Sequence, residues 1–240
     1  MISALANPLR FMAFSRWAAP LLALLATVLI SGGLWLGLNA PPDYQQGETV
    51  KIMFIHVPAA WVAMMAYACL GGASFISLVF RHALADAAAK AAAPLGAVFT
   101  GVALVTGSLW GRPMWGTWWV WGDARLVSVL VLFLLFLGYM ALRASIEDEA
   151  KAARAAEILA LVGLINLPII KFSVDWWNTL HQGASVMRAG GSALAPVYLT
   201  PLLLTGAGYS IAFGALWMAR IRAEVWRRRA VSLELRAALA

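Results

Sequence analysis

Six long apolar stretches restrict the fold of this 240-residue chain more than any other feature. They cover residues 17–38, 57–80, 94–110, 126–142, 156–172 and 197–219. A helix needs about 20 residues to cross the roughly 30 Å hydrocarbon core of a bilayer, and each stretch reaches or approaches that length. Hydrophobic residues make up 62% of the chain and charged residues only 12%, which excludes an ordinary soluble domain. Because lipid offers no partner to an unpaired backbone group, the stretches predict an all-α polytopic membrane protein.

The fifth stretch is the least apolar, since it carries Glu157, Asn166 and Pro168. The basic residues nevertheless favour it as a span. If six spans alternate, 13 of the 18 Lys and Arg residues fall on one side of the membrane and five on the other. The positive-inside rule then predicts six transmembrane helices with both termini in the cytoplasm. Asn166 and Pro168 predict a kink in the fifth helix.

Charge and motif content exclude several classes of function. The net charge of +7 follows the predicted topology, and no soluble domain is available to bind nucleic acid. The arginine-rich segment 219–230 instead predicts contact with anionic lipid or with a cytoplasmic partner. Neither GxxxxGK[ST] nor a GxGxxG following a strand occurs, so ATP hydrolysis by this chain is not expected. We predict one integral membrane domain, residues 1–240, that is not an enzyme and has the lipid bilayer as its surroundings.

Three segments on the outward side carry most of the polar variety and most of the tryptophans. They are residues 39–56, 111–125 and 171–196. Seven of the twelve tryptophans lie in or next to them, namely Trp110, Trp115, Trp118, Trp119, Trp121, Trp176 and Trp177. A belt of interfacial anchors would populate both membrane surfaces, whereas this distribution favours one. We therefore predict that the functional site lies on the outward side.

Two of the three histidines share this side. His56 and His181 lie in outward segments, whereas His82 falls on the cytoplasmic side. Two imidazoles can bind haem iron from opposite faces of the macrocycle, and tryptophans supply flat apolar walls for it. Four cations on the same side can pair with propionates: Arg125, Arg188, Lys51 and Arg112. The pattern fits an outward-facing haem or other flat aromatic ligand, and equally a set of interfacial anchors.

Helical spacing within the tryptophan-rich segment 111–125 predicts a short interfacial helix. Trp115, Trp118, Trp119 and Gly122 would then form one stripe, with Trp121 on another face. Gly122 would end this helix and Asp123 would cap the fourth span. In the third outward segment, Trp177 and His181 are four residues apart and would share a face if that segment is helical. Asp123 and Asp175 are expected either to orient a histidine through its second nitrogen or to act as helix caps.

Three separated motifs identify a resemblance. The string WGTWWVW, followed by DARL, resembles the W-G-x-x-W-x-W-D signature of the tryptophan-rich haem-handling membrane proteins of cytochrome c biogenesis. FIHVPAAW and VDWWNTLHQ extend the resemblance over nearly the whole chain, to the haem exporter C branch of those proteins. The resemblance implies that His56 and His181 are axial ligands of haem b, carried as cargo on the periplasmic face of the bacterial inner membrane. The predicted haem-binding residues are His56, His181, Trp115, Gly116, Trp118, Trp119, Trp121, Asp123, Arg125, Trp177 and Arg188.

The resemblance also implies partners and a role. The protein would bind haem and deliver it to the periplasmic haem chaperone CcmE, together with the ABC transporter subunits CcmA and CcmB and the small membrane protein CcmD. Two alternatives are a bis-histidine membrane cytochrome for electron transfer and a haem lyase of the same family. The chain departs from the signature at one point, because Gly122 separates Trp121 from Asp123. One extra residue in a helix would rotate Asp123 by about 100° away from the tryptophans.

Overall fold

The computed structural model describes residues 7–183, 185–186, 188 and 190–239, and nearly all of the ordered secondary structure among them is helical. The helices are α1 (Pro8–Leu38), α2 (Met53–Phe80), α3 (Ala83–Trp115), α4 (Ala124–Ser145), α5 (Glu149–Gly163), α6 (Asn166–Trp176) and α7 (Pro196–Ala238), with a 3-10 helix (Glu48–Ile52) leading into α2. Six helical segments are long and apolar enough to cross a membrane, with α5 and α6 together forming one. The predicted all-α, six-span fold is confirmed, and the orientation of the termini stays a prediction.

Side-chain caps make the helices longer than the apolar stretches. Asn7 accepts hydrogen bonds from the first turn of α1, and His82 accepts one from Ala85 at the start of α3. Asp148 does the same at the start of α5. The connection between α2 and α3 is therefore only two residues long, although hydropathy places the third span from residue 94 onwards. Polar first turns outside the hydrocarbon continue a helix wherever their N–H groups find a cap.

The fifth span is interrupted at residues 164–165, next to the two residues that predict a kink. Pro168 has no N–H to donate to the carbonyl of Leu164, so the helix cannot continue regularly there. Asn166 is buried, and its side chain donates to the Ser128 carbonyl of α4 at 2.8 Å. Asn166 thus joins the second half of the span, α6, to the rest of the bundle.

The main core lies between α2, α3, α4 and α5. Small residues let large ones pack closely: a Cβ added at Gly96 would lie 2.0 Å from the ring of Phe136. Tyr67 and Phe136 are fully buried, with ring centroids 5.0 Å apart. The helix α1 packs mainly along α7, where the glycines at 33 and 208 allow close approach.

The alternating helices give the bundle two chemically different ends. We call the end with loops 39–52, 116–123 and 177–195 the tryptophan end. The opposite end, formed by 81–82, 146–148 and the last turns of α7, is the arginine end. There Asp86 pairs with Arg143 and Arg228, and Glu224 pairs with Lys90 and Arg228. These ion pairs attach the extension of α7 to α3 and α4.

Candidate functional site

His56 lies in the first turn of α2, at the tryptophan end, and its ring is fixed by α3. Its Nδ1 lies 3.0 Å from the Ala103 carbonyl oxygen and 3.1 Å from the Thr106 hydroxyl oxygen. A carbonyl only accepts, and the Thr106 hydroxyl donates to the Val102 carbonyl at 2.6 Å. Nδ1 therefore carries the proton, which leaves Nε2 with a lone pair. This is the tautomer that a metal-binding histidine needs.

One face of α3 surrounds the imidazole of His56. Ala103, Thr106, Gly107 and Trp110 follow each other at helical spacing, and the Trp110 ring meets His56 edge-on at 5.7 Å. A Cβ at Gly107 would lie 3.0 Å from Cε1 of His56, so glycine leaves room for the ring. None of these four residues was predicted to belong to the site. A glycine and a threonine at helical spacing from Trp110 are the sequence signal for this face of α3.

We expect Gly107→Ala to weaken haem binding about tenfold while the helix stays intact. The added methyl group would push the ring away from its hydrogen bonds, and loss of such outer contacts typically costs a metal site ten- to a hundredfold. Haem titration followed by visible absorption measures the effect. Gly101→Ala is the matched control on the same helix, because its Cβ would meet only Phe133 at an ordinary 3.7 Å. Equal haem affinity in both variants would contradict the role of Gly107.

His181 lies in the loop between α6 and α7, next to Asp123 and Trp115. Its Nδ1 is 3.6 Å from Asp123 Oδ1, which is too long for a hydrogen bond, and it has no hydrogen-bond partner among the described residues. The Trp115 ring meets the imidazole edge-on at 5.0 Å. Burial lowers the pKa of His181, and the Asp123 carboxylate opposes that shift. The imidazole is therefore neutral at neutral pH, as coordination to iron requires.

Both histidines contact the C-terminal part of α3. Ala103, Thr106 and Trp110 contact His56, and Trp115, the last residue of the helix, contacts His181. Two neutral imidazoles beside indole rings form a donor set that fits a flat apolar macrocycle with a six-coordinate metal.

The predicted interfacial helix in the tryptophan-rich segment is wrong. The helix α3 continues to Trp115 and ends at Gly116, which has a left-handed φ of 76°. Its N–H bonds to the Arg112 carbonyl, and residues 116–123 form bends and a turn. Glycine adopts this conformation without steric cost and so ends the helix before the tryptophan stripe can form. The predicted stripe of Trp115, Trp118, Trp119 and Gly122 therefore does not exist.

Gly122 belongs to a turn that directs Asp123 inward. The N–H of Asp123 bonds to the Val120 carbonyl at 3.2 Å, so Trp121 and Gly122 occupy the centre of the turn. Asp123 is 2% exposed, and its Oδ1 accepts from the Leu126 N–H at 2.9 Å. The predicted cap of the fourth span is thus confirmed, whereas the predicted helix stop at Gly122 is wrong.

The same carboxylate also holds the third loop. Its Oδ2 accepts from the Leu180 N–H at 2.7 Å, next to His181. The predicted shared helical face of Trp177 and His181 is wrong, because α6 ends at Trp176 and Trp177 is extended. Asp175 is exposed in the last turn of α6, where it caps no helix start. Of the two roles that the sequence left open, Asp123 therefore has the capping role, and it also bonds the residue before His181. That it orients the imidazole of His181 stays a prediction.

The tryptophans form an incomplete wall around this end. Trp119 and Trp121 meet edge-on at 5.6 Å, and Trp176 and Trp177 at 5.7 Å. Trp121 is 75% exposed and Trp118 56%, whereas the buried Nε1 of Trp119 has no hydrogen-bond partner in the described part of the chain. Exposed indole faces and an unpaired donor suit a surface that a ligand or a partner covers.

Most of the predicted cations already make contacts within the chain. Arg125 donates to the Ser173 hydroxyl at 3.0 Å and to two carbonyls at the end of α6. Arg112 donates to the Gly116 carbonyl, and Lys51 pairs with Glu48 at 2.7 Å. The Arg188 side chain is exposed in the third loop. Their pairing with propionates stays a prediction, and Arg125 would have to share its guanidinium between α6 and a ligand.

Comparison with known proteins gives an independent view of this arrangement. A family model described as Heme exporter protein C matches residues 1–236. The chain is 58% identical over 231 residues to the heme exporter protein C of Bradyrhizobium diazoefficiens, covering 96% of this chain and 88% of that protein. It is 47% identical over 230 residues to the heme exporter protein C of Paracoccus denitrificans, covering 95% of each protein. It is also 47% identical over 219 residues to the heme exporter protein C of Escherichia coli K12, covering 91% of this chain and 88% of that protein. The chain therefore belongs to the heme exporter protein C family.

Proposed function

We propose that this protein holds haem b as cargo between His56 and His181 on the periplasmic face of the bacterial inner membrane and delivers it to the haem chaperone CcmE. The observation that carries the proposal is that both histidines contact the C-terminal part of α3, one of them fixed with Nε2 unprotonated. Both imidazoles would bind the iron, and the tryptophans would contact the faces of the ring.

As a member of the heme exporter protein C family, the chain has a role in the haem exporter system of cytochrome c maturation and is a multi-pass membrane component of it. A transport role suggests a protein that is not an enzyme. We extend this to partners, namely CcmE as acceptor, with CcmA, CcmB and CcmD as further subunits of the complex.

The exposure of the site favours transfer over permanent retention. Trp118, Trp121 and Trp177 are about half exposed or more, so a ring bound against them would keep one edge accessible. A cytochrome that keeps its haem for electron transfer would instead bury the macrocycle between helices. An open edge is what a carrier needs to pass its cargo to a second protein.

We expect the double variant Trp119→Ala, Trp121→Ala to lower haem transfer to CcmE about tenfold. Each indole pair contributes about 0.5–1.5 kcal/mol to an aromatic contact beyond its buried area, so two lost rings account for about that factor. The full-length protein is loaded with haem in a bilayer and mixed with purified CcmE, and the haem content of the separated chaperone is measured.

Trp226→Ala is the matched control, since Trp226 is a 55% exposed tryptophan at the arginine end. It should transfer haem like the unaltered protein. If the double variant also transferred at the unaltered rate, the tryptophan segment would have no part in delivery. If the unaltered protein acquired no haem at all, the proposed function itself would be wrong.

A further inference from the structure

Positive charge accumulates at the arginine end. Thirteen of the 18 Lys and Arg residues and seven of the eleven Asp and Glu residues belong to it, so it carries six of the seven net positive charges. Ion pairs occupy Arg143, Arg227 and Arg228, whereas Arg16 and Arg222 have no carboxylate within 4.0 Å in the described part of the chain. These two arginines are therefore free of pairing with a carboxylate of the described residues and can pair with an anion from outside the chain.

Both arginines border a groove between α1 and α7. The groove has a volume of about 370 Å³ and is open to the side of the bundle. Four alanines line it, Ala19 and Ala23 from α1 and Ala215 and Ala219 from α7, and the two arginines line it beside them. Such a groove is narrow and apolar along its length and cationic at its end.

The position of the groove along the helices matches one surface of a bilayer. In α1, about 20 residues, or about 30 Å of helix, separate Leu38 at the tryptophan end from Ala19. In α7, about 20 residues likewise separate Pro196 at the tryptophan end from Leu216. Arg16 and Arg222 therefore lie at the level of lipid headgroups, and the alanines continue from there into the hydrocarbon.

Polar atoms at the head of the groove are fixed and only partly bonded. Arg222 uses Nη1 to donate to the Met12 carbonyl and to Ser15 Oγ, and its Nε and Nη2 have no hydrogen-bond partner among residues 7–183 and 190–239. Arg16 packs over the ring of Trp17 at 4.9 Å. Pro20 lines the groove and has no N–H, so it cannot complete the helical hydrogen bond to the Arg16 carbonyl. The groove thus offers guanidinium donors together with a carbonyl acceptor.

We propose that this groove binds one anionic phospholipid of the phosphatidylglycerol type. Its phosphate would lie between Arg16 and Arg222, since guanidinium groups bind phosphate oxygens with directed, charge-assisted hydrogen bonds. A glycerol hydroxyl can donate to the Arg16 carbonyl, and an acyl chain can follow the alanine surface. Phosphatidylcholine fits less well, because its trimethylammonium group would face two guanidinium groups and has no hydrogen to donate.

Native mass spectrometry of the full-length protein in detergent tests the proposal, with phosphatidylglycerol and phosphatidylcholine of identical chains added at equal concentration. We expect the protein to retain one phosphatidylglycerol in preference to phosphatidylcholine. Arg16→Gln should reduce the retained phosphatidylglycerol about fivefold, the usual contribution of one basic residue at an anionic lipid surface. Arg16 suits this test because it is exposed, whereas Arg222 also joins α1 to α7.

Arg220→Gln is the matched control. It removes the same charge as Arg16→Gln at the same end of the bundle, but from α7. Arg220 lies two residues before Arg222 and therefore about 200° around α7 from it, so this variant should leave lipid retention unchanged. Ala219→Phe fills the groove without changing the charge and should abolish retention. If the Arg16 and Arg220 variants lost phosphatidylglycerol equally, the lipid would be held by the general positive charge of this end and not by the groove, and the proposal would be wrong. Unchanged retention after Ala219→Phe, or equal retention of the two lipids, would overturn the proposal.

Discussion

Replacing His56 or His181 by alanine is expected to remove most of the haem that co-purifies with the protein, at least about tenfold relative to the unaltered chain. Each histidine would supply one of two axial bonds to iron, and the side chains contacting it cannot take over that bond. Visible absorption of the protein from haem-replete cells should change from the bands of six-coordinate, low-spin iron to those of five-coordinate iron in the fraction that remains.

His82→Ala is the internal control for this pair. His82 lies at the arginine end, where its Nδ1 accepts from the Ala85 N–H and caps α3. Loss of that cap costs about 1 kcal/mol of stability and should leave the haem spectrum unaltered. A haem spectrum that is indifferent to both His56 and His181 would show that the iron is held by other groups.

Asp123→Ala is expected to have the second-largest effect, because one buried carboxylate serves two chain segments. Removing it leaves the N–H groups of Leu126 and Leu180 without their acceptor and takes a charge away from His181. A lost cap costs about 1 kcal/mol and an unpaired buried donor about 1–3 kcal/mol, so we expect a loss of about 2–4 kcal/mol. Thermal unfolding measures the stability, and haem titration should show weaker binding as the third loop shifts.

Asp148→Ala is the control that separates the loss of a helix cap from the loss of the contact between Asp123 and the third loop. Asp148 caps α5 at the exposed arginine end, accepting from the N–H groups of Ala150 and Lys151. It should lower stability only slightly, because the capped turn is already exposed to water, and leave haem affinity unchanged. If the Asp123 and Asp148 variants had the same stability and the same haem affinity, the contact between Asp123 and the third loop would be unimportant.

Hydropathy and charge were sufficient to predict the spans, because both follow from transfer into lipid and depend little on tertiary contacts. The weak fifth span illustrates this. Asn166 bonds to α4 and the helix is interrupted beside Pro168, so the sequence indicated both the span and the place of its interruption. The helix ends extend beyond prediction because side chains such as His82 and Asp148 cap turns that lie outside the apolar core.

The arrangement of the site was harder to predict. Spacing alone suggested helices through Trp119 and through His181, but a glycine with positive φ at 116 and the end of α6 at Trp176 prevent both. The neighbours of the histidines come from other helices, and no sequence period describes a contact between His56 and Thr106. The predicted topology singled out the two histidines and the resemblance supplied their expected role, whereas the residues that contact them could be identified only from the fold.

The contacts along the last three turns of α3 have a consequence for the two histidines. This one stretch of helix contacts both imidazoles, His56 through Thr106 and His181 through Trp115. A displacement of that stretch would move both side chains together. If the two imidazoles hold haem, both of these contacts would weaken at the same time and not one after the other.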